Sequence, residues 1–272
     1  MVHAVTEARL LCWNVAGKVK RLVDQAAHVI SREPDVVCLQ EVTATTAPQW
    51  TQLLASVGLE HVAVSDPADA AAGGRSRPLL TLTAARHPLK ARALERAPWP
   101  ERVLATAIAG AELVNVHSPI SAKPGLVKVL THEAVHAHVA AGAGPRIVCG
   151  DLNTPRKEHP DGRVWTFARD RYGRLDPERG ARWDEAELAL ITGLEPHGFR
   201  DAFRALHGTE RREFSWEWPR WGGGYRLDHL IVSAEVEVSA CRYLHEWRTA
   251  GLSDHSPLLA EVAWPVGQTG TR

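Results

Sequence analysis

The chain has 272 residues, and its 32 Lys and Arg are matched by 32 Asp and Glu, for a formal charge of zero. A chain this long buries roughly 70–75% of its unfolded surface, so it can hold a core without disulfide or metal staples. The even charge argues against a protein whose main task is a sequence-independent grip on long nucleic acid. No apolar run reaches membrane-span length, and the start lacks the basic-then-apolar pattern of a secretory leader.

In chain order, residues 10–13 read as a short strand delivering Asn14. Val19, Leu22, Val23, Ala26, Val29 and Ile30 recur at helical spacing, and Pro34 stops that helix. Residues 36–39 are a continuous apolar run, a buried strand that delivers Gln40 and Glu41. A helix begins at Pro48, which a first turn tolerates, and buries Trp50, Leu53, Leu54 and Val57. Residues 68–74 read as a flexible loop. Residues 79–83, 103–108 and 113–117 read as antiparallel strands; in the last, Val114 and Val116 face one side and Leu113, Asn115 and His117 the other. Pro124 opens an amphipathic helix with Leu126, Val127, Leu130, Ala134 and Val135 on its apolar side. A strand at 147–149 leads to Asp151. Residues 156–182 are polar and arginine-rich and read as a surface excursion. Residues 183–191 form a helix, 199–206 a second short one, and 213–218, 227–232, 236–247 and 258–262 the last strands.

Helices at intervals among many short strands indicate an α/β protein with much antiparallel pairing. No Gly/Ser or Pro-rich linker divides the chain, so a single domain over residues 1–272, with its core at about 10–264, is expected. Four cysteines occur, none in a CxxC pair, and three sit in apolar runs; buried free thiols in a reducing cytoplasm are the expectation.

The run GDLNTP (150–155) carries the most chemical information. Asp151 and Asn153 lie two apart past a strand end, so their side chains point to the same side. A carboxylate and a carboxamide aimed at one point can hold an attacking water and a phosphate oxygen. LCWN (11–14), LQE (39–41), NVHSP (115–119), YRLDHLIVS (225–233) and SDHSP (253–257) accompany it in order. This ordered set resembles the endonuclease/exonuclease/phosphatase superfamily, which includes exonuclease III and deoxyribonuclease I. The resemblance runs from residue 10 to about 264. It implies a four-layer α/β/β/α sandwich of two mainly antiparallel sheets flanked by helices, with the site at one end.

Phosphodiester hydrolysis needs water placed in line, charge neutralised on the phosphoryl oxygens and a stabilised leaving oxygen. Hard oxygen ligands suit Mg²⁺ or Mn²⁺. The resemblance makes Glu41 the leading metal ligand, assisted by Asn14 and Asp254. It makes Asp151 the residue that orients or deprotonates water, and Asn153 and His117 phosphate contacts. Asp228 is expected behind His255, where a carboxylate fixes the ring tautomer and stabilises its charge. Asp151 and His255 can both be argued as the general base. Each residue also has a plainer reading: a capping carboxylate for Glu41, turn residues for Asn14, Asp151 and Asn153, a half-buried strand histidine for His117. The ordered set favours the functional one. His229 should point to the opposite face from Asp228.

FSW (214–216) and YRLD (225–228) resemble exonuclease III segments that line the substrate pocket. They make Trp216, Tyr225 and Arg226 substrate-binding candidates, with Trp218 and Trp221 also able to stack on bases. Core or rim packing is the alternative for each aromatic. His117 stands where the exonuclease III branch carries tyrosine. The expected function is a metal-dependent phosphodiester hydrolase, an exonuclease III-like DNA nuclease. A phosphomonoesterase, a lipid or small-molecule phosphodiesterase, or a non-catalytic scaffold are the alternatives. A cytoplasmic monomer with no membrane partner is expected.

Overall fold

The structure is a computed structural model that describes residues 4–72, 74, 77–92, 94, 96–120, 125–218, 220 and 222–266. Its strands are β1 (Val5–Asn14), β2 (Val36–Thr43), β3 (His61–Val64), β4 (Leu79–Ala85), β5 (Leu89–Arg92), β6 (Val103–Ile108), β7 (Ala111–His117), β8 (Arg146–Asp151), β9 (Lys157–Glu158), β10 (Val164–Trp165), β11 (Phe199–Asp201), β12 (Trp216–Glu217), β13 (Gly224–Tyr225), β14 (Asp228–Ser233), β15 (Glu237–Tyr243) and β16 (Leu258–Pro265). The helices are α1 (Leu22–Ile30), α2 (Ala47–Ala55), α3 (Pro67–Ala72), α4 (Val127–Ala141), α5 (Gly180–Ile191), α6 (Ala202–His207) and α7 (His245–Thr249).

Two six-stranded sheets run in the orders β15-β16-β1-β2-β4-β3 and β11-β14-β8-β7-β6-β5. Each has one parallel pair at its centre, β1/β2 in the first and β7/β8 in the second, and is otherwise antiparallel. Central strands covered on both faces read as unbroken apolar runs. Alternation then divides them: Leu10 and Cys12 of β1 face the second sheet, while Leu11 and Trp13 face α1, α2 and α7. On the second sheet, Leu113 and Ile147 pack inward, and Val114, Val116 and Val148 pack against α4 and α5. The result is the expected four-layer α/β/β/α sandwich. Two motif residues tie its sheets together, since Gln40 Nε2 donates to Asn115 Oδ1 (2.7 Å) and Asn115 Nδ2 donates to the Leu82 carbonyl (2.9 Å).

Several local expectations change. Residues 67–72 form α3 rather than an open loop. Residues 199–201 form edge strand β11, and α6 starts at Ala202 because the Asp201 side chain caps the Arg204 N–H. The strand expected to reach Trp247 stops at Tyr243; Trp247 lies in α7, edge-on to Trp13 at 5.0 Å. The excursion at 156–182 contains the hairpin β9–β10. Pro124 lies outside the described residues, and α4 begins at Val127. Its expected apolar face holds only in part: Val135 is buried and Ala134 packs on the core, but Leu126 and Leu130 are exposed, and Lys128, Val129, Thr131, His132 and Val139 are buried instead. The buried face is set by packing on α5, which supplies polar partners for Lys128 and His132.

Candidate active site

Parallel strands place their C-terminal ends at the same edge. So β1 and β2 bring Asn14 and Glu41 to one rim, and β7 and β8 bring His117 into register with Asp151 on the other sheet. Asp228 opens antiparallel β14 opposite Asp151, and His255 precedes β16. Gly150 holds the strands this close: its φ is +134°, and a Cβ there would run into the Val116 carbonyl oxygen.

Glu41 has φ +57° at a bulge where the β2/β4 register slips between Leu39 and Val42. Bulges re-aim side chains beside functional sites, and positive φ in a non-glycine residue carries strain that the fold must hold. Asn14 is buried, and its amide is fixed by the Ala16 N–H donating to Oδ1 (2.9 Å). Asn14 Nδ2 then donates to both Glu41 Oε1 (3.1 Å) and Asp151 Oδ2 (3.0 Å), drawing two carboxylates together. His117 Nε2 lies 3.4 Å from Glu41 Oε1. Glu41, His117 and Asp151 each offer a ligand atom within 4.8 Å of the others. Two carboxylates and an imidazole nitrogen at that spacing fit a divalent cation.

The charge balance agrees with that fit. Burial, reinforced by the Asp228 carboxylate, pushes Asp151 up to about 7 despite the opposing pull of His255 and Asn14. A cation beside it would relieve that cost. Asp151, Asp228 and His255 form a second cluster of the same span. There the ring itself bridges the acids, with Nδ1 2.8 Å from Asp228 Oδ2 and Nε2 3.8 Å from Asp151 Oδ2. Burial works against the charged ring, but Asp228 and then Asp151 raise it to about 10. The loop carrying it is pinned by Trp13 Nε1 donating to the His255 carbonyl (3.1 Å) and by Ser253 Oγ donating to the Asn14 carbonyl (2.6 Å). His117 differs from His255: burial, followed by the Arg102 guanidinium, holds it well below the usual imidazole range, so the ring is neutral.

Asn153, at φ +50°, donates from Nδ2 to the Ser118 carbonyl (2.8 Å) and to Asp151 Oδ2 (3.3 Å). These groups open into a cleft of about 540 Å³. One wall is aromatic. Trp216 stacks on Tyr225 (5.9 Å between centroids, 9° between planes), with Trp218 and Phe167 edge-on to Tyr225 at 4.5 and 5.0 Å. Leu79, Arg102 and Ile120 line the cleft as well.

Two predicted residues stand apart. Asp254 reaches the cleft rim but is exposed, takes a hydrogen bond from Trp216 Nε1 (3.3 Å) and belongs to neither three-residue cluster. Arg226 is turned away from the aromatic wall: its side chain is 1% exposed and paired with Glu158 (2.6 Å) and Asp201 (2.8 Å). Burial of four carboxylate and guanidinium partners in one place, which sequence spacing does not report, claimed it. His229 faces away as expected, contacting Asp201 (3.1 Å) and the Thr154 carbonyl (2.9 Å). Trp221 lies outside the described residues. Sequence reasoning missed Phe167, hidden in a polar stretch, and Arg102, which follows Pro100 in a short turn with no motif to mark it.

Solved structures with this fold include an AP endonuclease from Archaeoglobus fulgidus, 21% identical with a TM-score of 0.67, the match covering 93% of this chain and 98% of that one. The 3′ phosphatase NExo from Neisseria, bound to a product DNA hairpin, is 21% identical with a TM-score of 0.66, covering 94% of this chain and 100% of that one. An endonuclease/exonuclease/phosphatase from Beutenbergia cavernae is 16% identical with a TM-score of 0.62, covering 95% and 72%. At these identities the likeness is one of fold. A search of curated proteins finds no match. The family model described as the Endonuclease/Exonuclease/phosphatase family matches residues 11–255, from the strand that delivers Asn14 to His255 itself, and the chain belongs to that family of metal-dependent phosphoesterases.

Proposed function

We propose that the protein is a divalent-metal-dependent phosphodiester hydrolase acting on DNA, with Mg²⁺ or Mn²⁺ held by Glu41, Asp151 and His117. A cation bound there supplies positive charge to the phosphoryl oxygens. Asn14 holds the two carboxylates in position. The Asp228–His255 pair keeps a protonated Nε2 facing Asp151, where it can hydrogen-bond the phosphoryl group as charge develops. A ring held cationic between two acids is a poor proton acceptor, which leaves Asp151 to take the proton from water. Asn153 would turn the amide hydrogen it gives to Asp151 Oδ2 toward the phosphate. Asp254, at the rim, completes the charged border beside Trp216.

The observation that carries the substrate reading is the Trp216–Tyr225 stack beside the reactive carboxylates. Such a wall accepts a base or a bare sugar at a cost that depends little on sequence. Beyond Tyr225 the surface continues into a groove bearing Arg156, Lys157, Arg211 and Arg212, suited to a phosphate backbone. The AP endonuclease and the DNA-bound 3′ phosphatase of similar fold agree with this reading. No helix among the described residues is long and apolar enough to cross a membrane, and all four cysteines are free and buried, which fits work in a reducing cytoplasm.

A second reading, hydrolysis of a small or lipid phosphoester, is favoured by the zero formal charge and by a cleft sized for a small molecule. Cleavage of abasic-site duplex DNA, bis-(p-nitrophenyl) phosphate and a phosphoinositide should be compared with Mg²⁺ and Mn²⁺, with and without chelator. The DNA reading expects chelator-sensitive cleavage with DNA the best substrate by kcat/KM. Preference for the phosphoinositide, with DNA untouched, rejects it.

A further inference from the structure

Helices α4 and α5 cover the outer face of the second sheet, away from the cleft, yet one buried ion pair between them reaches the GDLNTP loop. Lys128, in the first turn of α4, and Glu187, in α5, each have side chains 1% exposed and meet at 2.7 Å. Lys128 Nζ also donates to the Asn153 carbonyl (2.6 Å). Glu187 Oε2 accepts from Thr154 Oγ1 (2.7 Å) and from the Phe167 N–H (2.8 Å), while Trp183 Nε1 donates to Glu187 Oε1 (2.7 Å). The pair therefore holds Asn153, Thr154 and the aromatic wall at Phe167 together.

A second contact comes from the same helix face. His132 is four residues beyond Lys128, the spacing that places two side chains one above the other. Burial lowers its pKa to about 3, so the ring is neutral. Its Nδ1–H donates to the Ala186 carbonyl (3.1 Å), leaving Nε2 to accept from Ser118 Oγ (2.7 Å). The Ser118 carbonyl in turn receives Asn153 Nδ2 (2.8 Å). Both the carbonyl and the amide of Asn153 are thus placed by α4, at a residue whose φ of +50° needs outside support.

Stability alone is a weak reason for this arrangement, because well-packed apolar residues often replace a buried ion pair without loss. We propose that Lys128 and Glu187 are positioning residues that hold Asn153 and Phe167 in the geometry required for phosphoryl transfer, and that they act through Asn153. The inference rests on the active-site reading given above.

The test is a double-mutant cycle with bis-(p-nitrophenyl) phosphate and Mn²⁺ as probe. Lys128→Met/Glu187→Met replaces the pair with apolar side chains of similar length. A folded variant, checked by circular dichroism and thermal unfolding, should lose about tenfold to hundredfold in kcat with KM changed less than about threefold, the range expected for misplacement of about an ångström. In an Asn153→Ala background the same replacement should cost little more, since coupled residues are not additive. Lys128→Arg is the milder variant that decides the matter if the double replacement does not fold: it keeps the charge but not the geometry at the Asn153 carbonyl, and it too should lose kcat only when Asn153 is present. Wild-type kcat in the folded variants, or a loss that persists undiminished in the Asn153→Ala background, overturns the positioning role. Wild-type turnover by Asn153→Ala alone instead overturns the active-site reading.

Discussion

Asp228 and His229 are neighbours on β14, but they join two very different clusters of buried charge. On the His229 side, Glu158 takes both Arg204 (2.7 Å) and Arg226 (2.6 Å), and Asp201 takes Arg226 (2.8 Å) and His229 (3.1 Å). Two guanidinium groups meet two carboxylates. Arg226 and Arg204 outweigh burial and hold Glu158 down to about 2, and Asp201 is likewise depressed, despite burial, chiefly by Arg226. On the Asp228 side, Glu41 and Asp151 share one cleft with the His255 imidazolium and the Arg102 guanidinium, and Asp228 backs the ring, three acids to two cations. Asp151 is pushed up to about 7, and Asp228 Oδ1 and His117 Nδ1 are buried without a hydrogen-bond partner among the described residues. Charge that is fully met holds the fold. Charge left in deficit on the next residue is poised to take a cation and a phosphate.

This contrast can be broken by mutation, and the two clusters should fail in opposite ways. The largest effect is expected at the cleft: Asp151→Ala or His255→Ala should lower turnover by about 10²–10⁴-fold while the protein stays folded, as judged by circular dichroism and steady-state kinetics. Near-wild-type turnover in either variant removes it from the reaction. Arg226→Met should do the reverse. It leaves Glu158 and Asp201 buried without their shared partner, a loss of about 3–5 kcal/mol in denaturant unfolding. Activity per folded molecule should hold, and a selective fall in KM or kcat would instead restore Arg226 to the substrate.

The smallest effect concerns acid. The folded-state pKa of Glu158, about 2, lies below its ordinary value of 4.5. Its stabilisation is therefore complete above about pH 4.5 and is lost as pH falls through about 2. Denaturant midpoints of the wild type and Glu158→Gln should differ most at neutral pH and converge on acidification. A constant gap would show that the carboxylate's charge is not what matters.

The sequence made legible what lies along strands and at their ends. Asn14, Glu41, His117, Asp151, Asp228 and His255 follow or begin apolar runs, and the sheet pairing brings those ends to one rim. Side-chain partners set by packing between distant elements were not legible. Lys128 carries a charge that pattern assigns to solvent, and the approach of Glu187, 59 residues on, together with the Asn153 carbonyl, makes its burial tolerable. Leu126 and Leu130 looked like core for the same reason and lie outside it. Arg226 stands two residues before Asp228, where alternation would put both side chains on one face, yet two acids from other segments draw it to the structural cluster.

The central claim is that the acids at this rim are short of positive charge and bind a divalent cation through Glu41. Isothermal titration of metal-free protein with Mn²⁺ tests it directly, with Glu41→Gln as the comparison. Saturable binding by the wild type, weakened about tenfold or more in a folded Glu41→Gln variant, is the predicted result. Equal affinity in the two proteins, or no binding by the wild type, would contradict it.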